Sequence, residues 1–289
     1  VTALDTMHRG APAWTDPAVT WVRGDVTRAD DVAPLIGDVD GVFHLASVAG
    51  VSAVVNNPVR TMKVALLGSM QVLDAAAASP RKPRVVVFST SEVYGRHATQ
   101  VNEQLDTPIG PVPEPRWSYA AAKAAIEHLA HGYGRECGLP VVSVRPFNVY
   151  GPGQIGEGAI HHFVKRAIAG EPLVVYNDGR QVRAWTYVSD MVAGTIGAME
   201  AAGAPGHAFN IGSPADAVTV VELAARVAQT VETFTGVRVP ILHESRGYPD
   251  VETRIPDIAA AETLLGFAPA VRLDEGLRRT VAWYLQGTP

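Results

Sequence analysis

Tyr119 and Lys123 form the first candidate pair for chemistry, in the stretch SYAAAK. Residues four apart on a helix lie on one face. A tyrosine with a pKa of about 10 is a weak base at neutral pH, and an adjacent ammonium stabilises its phenolate. The pair could take a proton from a substrate hydroxyl while a hydride leaves the same carbon. A surface helix pair without a catalytic role has the same spacing, so both interpretations stay open at this point.

A second candidate group lies about one crossover upstream, in the stretch FSTSEVYG, where Thr90, Ser91 and Glu92 stand side by side. The run Val85-Val86-Val87 precedes it and predicts a buried strand. Polar residues directly after such a strand lie where open α/β sheets bind their ligands. The proximity of this stretch in sequence strengthens the interpretation of Tyr119 and Lys123 as a catalytic pair.

Acids and small residues end three other predicted strands. Asp5 ends the first, where an acid can bind the ribose hydroxyls of NAD and repel the extra phosphate of NADP; a loop cap is the alternative. Asp25 could meet an adenine amino group or cap the helix that follows it. The stretch HLAS, ending at Ser47, would let a flat cofactor approach the backbone, whereas His44 is predicted to be packed and hydrogen-bonded rather than catalytic.

The second half offers polar groups that could hold an anionic substrate. Arg183 and Arg246 carry planar guanidinium groups suited to a diphosphate or a carboxylate, although a solvated rim arginine has the same appearance. Asn148 could donate to the same phosphates or form a turn. His161 and His162 are adjacent, so on a helix they point to different faces, and no metal site is predicted.

Composition restricts the class of partner. The chain has 289 residues, 47% hydrophobic and 18% charged, with a formal net charge of -5. The absence of a lysine or arginine run argues against nucleic acid or an anionic membrane, so a small molecule is the expected partner. A single cysteine, Cys137, excludes an internal disulfide and fits a reducing compartment. No stretch approaches the roughly 18 to 20 apolar residues that span a bilayer. The expected location is therefore cytoplasmic.

Apolar runs rich in β-branched residues alternate with helical stretches, which predicts an α/β fold with a doubly wound parallel sheet, Rossmann-like. Residues 1–150 are predicted to form the NAD-binding domain. Residues 151–289 are predicted to form a smaller, mostly helical substrate lobe, with some segments returning to the main sheet. The glycine-rich turn that should precede Asp5 by roughly 20 residues is not in this chain, so its first strand and turn are expected to be missing. The predicted helices are 57–79, 118–137, 159–169, 188–202, 219–235, 258–265 and 273–286.

Taken together, the stretches HLAS, STSEVYG, SYAAAK, RPFNVYGPG, QVRAWTYVSD and PDIAAAETLLGF resemble, in order, the extended short-chain dehydrogenase family. Its members are the NAD-dependent epimerases, dehydratases and decarboxylases of nucleotide sugars. The resemblance implies NAD as cofactor, a UDP-sugar or other nucleotide-sugar substrate, and a homodimer in which helices 57–79 and 118–137 pack as a four-helix bundle.

The resemblance also implies roles for individual residues. The implied catalytic residues are Thr90, Ser91, Glu92, Tyr119, Lys123 and Arg183. The implied cofactor-binding residues are Asp5, Asp25, Val26, Leu45, Ala46, Ser47, Ser89, Tyr119, Lys123 and Pro146. The implied substrate-binding residues are Val48, Gly50, Ser91, Glu92, Asn148, Val174, Tyr176, Arg183 and Arg246.

Ser91 bears on which reaction is expected. Common 4,6-dehydratases of the family place an aspartic acid there as the acid for the departing hydroxyl, and a serine hydroxyl is far too weak an acid for that role. The Thr-Ser-Glu order and the stretch RWSYAAAK resemble UDP-glucuronate decarboxylases, which makes decarboxylation to a UDP-pentose or UDP-4-keto-pentose the leading hypothesis. A 4-epimerase, a 4,6-dehydratase and a non-catalytic relative remain alternatives. Ala65, which stands where the decarboxylases usually have asparagine, favours the last.

Overall fold

The computed structural model describes residues 1–8, 10, 16–48, 50–245 and 251–287. Its strands are β1 Thr2–Asp5, β2 Thr20–Arg23, β3 Gly41–His44, β4 Arg84–Phe88, β5 His97–Val101, β6 Val141–Pro146, β7 Val149–Tyr150, β8 Leu173–Tyr176, β9 Val182–Ala184, β10 Thr186–Tyr187, β11 Ala208–Ile211, β12 Ala217–Thr219, β13 Ile241–Glu244 and β14 Thr253–Pro256. Its helices are α1 Ala29–Ile36, α2 Val51–Asn56, α3 Pro58–Ala78, α4 Ser118–Cys137, α5 Ala159–Ile168, α6 Val188–Glu200, α7 Val220–Thr235, α8 Ala259–Leu265 and α9 Leu273–Leu285.

A four-stranded sheet forms the centre of the first part, in the order β11-β6-β4-β3. All of its strands run parallel, and β1 and β2 form a separate parallel pair. Helix α3 lies between the parallel neighbours β3 and β4, and helix α4 lies between the parallel neighbours β4 and β6, as crossovers between parallel strands require. The predicted α/β fold with a parallel, helix-covered sheet is therefore confirmed.

Strand β4 explains why its sequence is an unbroken apolar run. Val85, Val86 and Val87 are fully buried. Val85 and Val87 pack with side chains of α3 and α4, whereas Val86 joins a cluster on the other face that contains Met191 of α6 and residues of α8. Successive side chains of a strand point to opposite faces, so a strand covered on both sides needs apolar residues throughout.

The second part has its own hydrophobic core, built by α5, α7 and α9 around β8. Large buried side chains such as Phe163, Leu173, Leu223 and Leu277 fill it. The strand β11 belongs to the central sheet, where it pairs with β6. Short strands that the sequence analysis did not predict, including β8, β13 and β14, also lie in this part.

Helix ends follow local chemistry. The helix predicted over 219–235 begins one residue later, at Val220, because Thr219 caps it: the Thr219 hydroxyl accepts from the Glu222 amide, and the Glu222 side chain bonds back to Thr219. Helix α4 ends at Cys137, as predicted, where Gly138 adopts the left-handed conformation. Among the described helices, none is long and apolar enough to cross a membrane.

Candidate active site

Tyr119 and Lys123 lie on the face of α4 that meets the carboxyl end of β4. The Lys123 ammonium donates to the Phe88 carbonyl oxygen at 2.6 Å and lies 5.7 Å from the centroid of the Tyr119 ring. The Thr90 side chain lies close enough to the Tyr119 hydroxyl to lower its pKa. The structure thus brings together three of the residues that the resemblance implies to be catalytic.

Burial dominates the electrostatics of this pair. It raises the pKa of Tyr119 well above its usual value, the Glu92 charge raises it further, and the Thr90 side chain opposes both effects. Burial also lowers the pKa of Lys123 from 10.5 to about 8, against the attraction of Glu127. At neutral pH both groups are therefore protonated. The pKa of Lys123 lies close enough to neutral pH for neighbouring charges to control whether Lys123 is charged.

Thr90, Ser91 and Glu92 form the turn that follows β4. Ser91–Tyr94 is a single 3-10 turn, and the Thr90 side chain caps it by accepting from the Glu92 amide at 3.2 Å. Thr90 and Ser91 are buried, whereas Glu92 keeps 18% of its side chain exposed. Both Thr90 and Glu92 are thereby held where they act on Tyr119.

Two arginines flank Glu92. Arg254 Nη1 lies 3.5 Å from one Glu92 carboxylate oxygen, and Arg116 Nη1 lies 3.9 Å from the other. The Arg116 guanidinium also lies over the Trp117 ring, 5.1 Å from its centroid. Two cations beside one carboxylate leave this corner with a net positive charge, which suits a substrate that brings its own carboxylate.

Arg183 is a neighbour of Arg254, because β9 and β14 pair with these two residues in register. Arg183 is buried, and its Nη2 donates to the Val251 carbonyl oxygen at 2.7 Å while Nη1 donates to Val182. Its side chain thus ties the two strands together. A direct contact between Arg183 and substrate stays a prediction.

Sequence reasoning did not assign Arg116 or Arg254 to the site. Arg116 is part of the stretch RWSYAAAK, three residues before Tyr119, and this short spacing could have indicated that it belongs to the site. Arg254 carries no local signal, because β14 reaches the site by pairing with β5 and β9, which are distant in sequence.

The predicted cofactor residues lie at the carboxyl ends of β1, β2, β3, β4 and β6. Ser47 has a buried hydroxyl with no hydrogen-bond partner among the described residues, and Leu45 beside it is 56% exposed. Asp5 accepts from the Met7 amide at 2.6 Å, and Asp25 accepts from Thr27, whose hydrogen bonds lower the Asp25 pKa. The orphaned Ser47 hydroxyl is the feature that fits a bound NAD, since buried polar groups are seldom left unpaired.

The other predicted cofactor residues are placed as follows: Val26 packs beside Gly68, Ala46 precedes Ser47, Ser89 donates to Glu127, and Pro146 ends β6. His44 is buried and bonded to Ser69 at 2.9 Å, and burial with the nearby Lys123 charge lowers its pKa to about 3. His44 is therefore neutral and packed, as predicted.

Three predicted substrate residues lie in loops that follow strands of the central sheet, Asn148 after β6 and Val48 and Gly50 after β3. Asn148 has a left-handed backbone, with φ of 35°, and its buried side-chain oxygen has no partner among the described residues. Val48 and Gly50 follow β3, and the Glu157 carboxylate closes over Gly50 and accepts from the Ser52 and Ala53 amides.

Val174 and Tyr176 lie apart from the central sheet, on β8 of the two-stranded sheet with β13. Arg246 is outside the described residues. Within the described ranges, no group of three or more histidine, cysteine or acidic side chains is placed to hold a metal ion.

Comparisons with known proteins indicate the same family as the sequence analysis. Residues 1–212 match the NAD dependent epimerase/dehydratase family. The chain is 33% identical to the UDP-N-acetyl-alpha-D-glucosaminuronate decarboxylase of Bacillus cytotoxicus, over 98% of this chain and 89% of the relative. It is 35% identical to UDP-glucuronic acid decarboxylase 3 of Arabidopsis thaliana, over 88% of this chain and 72% of the relative.

Among solved structures, the chain resembles the UDP-glucuronic acid 4-epimerase of Bacillus cereus, crystallised with UDP-glucuronic acid and NAD. The TM-score is 0.81 at 27% identity, covering 94% of this chain and 83% of that one.

Proposed function

Because the chain belongs to the NAD-dependent epimerase/dehydratase family, we propose that it decarboxylates a UDP-hexuronic acid, with UDP-glucuronate as the first substrate to test. The family membership confirms the resemblance identified from the sequence and the prediction of NAD as cofactor. The observation that carries the finer proposal is the pair of arginines, Arg116 and Arg254, beside Glu92, whose charge acts on Tyr119. A net positive corner next to the proton-transfer pair supports a substrate whose carboxylate lies close to the carbon being oxidised.

Tyr119 is the proposed base for the sugar 4-hydroxyl. The Thr90 side chain and the Lys123 ammonium beside its ring both favour the phenolate. The chemistry that NAD supplies when bound is acceptance of the hydride from carbon 4, and its return where the product is a pentose. Ser47, Lys123 and the other predicted cofactor residues would hold it.

The ketone at carbon 4 is β to the carboxylate on carbon 5. The electrons of the bond between carbons 5 and 6 then pass into an enolate as carbon dioxide leaves, and carbon 5 takes up a proton. Lys123, Thr90 and Tyr119 would stabilise the oxygen of that enolate. Glu92, Ser91 and the arginines Arg116, Arg183 and Arg254 would position the carboxylate and control the proton at carbon 5.

Mass spectrometry of products tests this proposal. The chain would be incubated with NAD and, in turn, UDP-glucuronate, UDP-N-acetylglucosaminuronate and UDP-glucose. We expect loss of carbon dioxide from at least one uronate and none from UDP-glucose. Tyr119→Phe should abolish the loss, whereas Tyr133→Phe, at a half-buried tyrosine of the same helix whose hydroxyl bonds to Asp74, should retain it. An unchanged substrate mass with both uronates would contradict decarboxylation.

A 4-epimerase is the second candidate, favoured by the structural similarity to the Bacillus cereus UDP-glucuronic acid 4-epimerase. The same panel distinguishes it, because epimerisation keeps the mass and changes the chromatographic retention. A dehydratase would instead lose water.

We also propose that two copies pair through α3 and α4. These helices pack on each other, and α3 leaves Val59, Met62, Leu67 and Met70 exposed on its outer side. An exposed apolar surface of this kind is typical of an interface. Light scattering at micromolar concentration should give a dimer, and Met62→Glu with Met70→Glu should give a monomer. Val192→Glu, at an exposed apolar residue of α6, is the control; a monomeric wild type would refute the proposal.

A further inference from the structure

Three residues on one face of α4 each lie against one of the residues Phe88, Ser89 and Thr90 at the end of β4. Tyr119 lies beside Thr90, which acts on its pKa, and Lys123 donates to the Phe88 carbonyl. Glu127, the next residue at four-residue spacing, accepts from the Ser89 hydroxyl. The helix face thus meets the strand end at three points, and Glu127 is the one without an assigned role.

Glu127 is held in place by a buried arginine. Arg145, on β6, contacts it with two nitrogens: Nε lies 2.9 Å from Oε1 and Nη2 lies 2.7 Å from Oε2. Arg145 Nη1 donates to the Tyr94 hydroxyl at 2.7 Å, and Tyr94 in turn donates to Asn210 at 2.9 Å. Glu127 and Arg145 are each only 6% exposed. Such a fully bonded pair fixes both the position and the charge of the carboxylate.

We propose that Glu127 is a positioning residue that keeps Lys123 charged and holds α4 in register with the end of β4. Only the catalytic consequence rests on the decarboxylation proposed above. The effect on Lys123 itself does not depend on any substrate.

The charges around Lys123 support this role. Glu127 and Tyr119 face it from its own helix, and the neutral His44 faces it from β3. Beyond Glu127 lie the Arg145 cation from β6 and His131 from α4. Lys123 is fully enclosed, and Glu127 is the group that opposes the effect of burial on its charge. Without Glu127, two buried cations would remain near each other, and the lysine would lose its proton first because an arginine does not.

Lysine NMR measures this charge directly. The chain has four lysines, Lys63, Lys82, Lys123 and Lys165, so isotopically labelled ε-carbons give few signals. Lys123→Arg identifies the Lys123 signal by its disappearance. We expect Glu127→Gln to lower the titration midpoint of Lys123 by about one pH unit or more. Glu127→Asp, which keeps the charge, and Glu136→Gln, an exposed glutamate of the same helix, should shift it far less. A midpoint unchanged in Glu127→Gln would overturn the proposal.

Arg145→Gln gives the opposite sign and serves if Glu127→Gln does not fold. Removal of this cation should raise the Lys123 midpoint, because Glu127 then acts on Lys123 without a competing positive charge. A midpoint that stays or falls in Arg145→Gln would overturn the proposal.

The pH dependence of turnover links the charge to catalysis. The reaction requires charged Lys123, so Glu127→Gln should move the alkaline limb of the turnover profile to lower pH by the same amount as the NMR midpoint. A structural role alone would lower turnover at every pH without moving the limb, and that result would also count against the proposal. If the wild type releases no carbon dioxide, the proposed function fails while the NMR titration still decides the role of Glu127.

Discussion

Replacement of the buried cation Lys123 by methionine should change how the stability of the protein depends on pH. Lys123 is 2% exposed, and burial lowers its pKa from 10.5 to about 8. In the folded protein it therefore binds its proton less readily than in the unfolded chain. At about 1.4 kcal/mol for each pKa unit, keeping Lys123 charged costs about 3 kcal/mol at neutral pH.

The sign follows from the protons bound in each state. Below pH 8 both states are protonated, and the wild type carries the full cost. Between about pH 8 and pH 10.5 the unfolded chain binds more protons than the folded one, so wild-type stability rises with pH. Lys123→Met has no such group. The stability of the variant relative to wild type should therefore fall by about 3 kcal/mol across that interval.

Urea unfolding at several pH values between about 7 and 11 measures this difference. The difference between variant and wild type cancels the contributions of the titrating groups that both proteins share. Lys165→Met, at an exposed lysine of α5, controls for the removal of one positive charge. A difference for Lys123→Met that is as constant with pH as the control would refute the account of a destabilised buried ammonium.

Further variants test the site and the fold. Arg254→Gln should lower turnover by roughly 100-fold, since charge stabilisation of this kind is typically that large, whereas Arg135→Gln, at an exposed arginine of α4, should not; equal rates would remove Arg254 from the site. Gly95→Ala should lower the melting temperature more than Gly206→Ala, because both have positive φ but the new Cβ would lie 2.2 Å from the Pro108 carbonyl oxygen only at Gly95. Thr219→Ala should cost about 1 kcal/mol by urea unfolding, through loss of the α7 cap.

Local patterns were sufficient to predict the centre of the fold and the placement of Tyr119 and Lys123 on one face of a helix. The run Val85-Val86-Val87 is apolar because helices cover both faces of β4. The composition of this run was therefore enough to predict a buried strand. Tyr119 and Lys123 could be recognised because both lie on one helix, where spacing fixes direction.

Long-range pairing placed the groups that sequence reasoning missed. Arg254 meets Glu92 only because β14 pairs beside β5 and β9, and no periodicity encodes that neighbourhood. Glu127 and Arg145 lie in ordinary helix and strand stretches, and their partnership exists only in the packed interior. The available signal for such buried ion pairs was the presence of charged residues inside otherwise apolar helices and strands. A single sequence does not say which of these residues pair.

The central claim is that the chain removes the carboxyl group of a UDP-hexuronic acid. UDP-glucuronate labelled isotopically at carbon 6, incubated with the chain and NAD, tests it most directly, with the analogous labelled N-acetylglucosaminuronate in parallel. We expect labelled carbon dioxide from at least one of them, together with an unlabelled UDP-pentose or UDP-4-keto-pentose. Label retained entirely in a nucleotide sugar of unchanged mass, from both substrates, would contradict it.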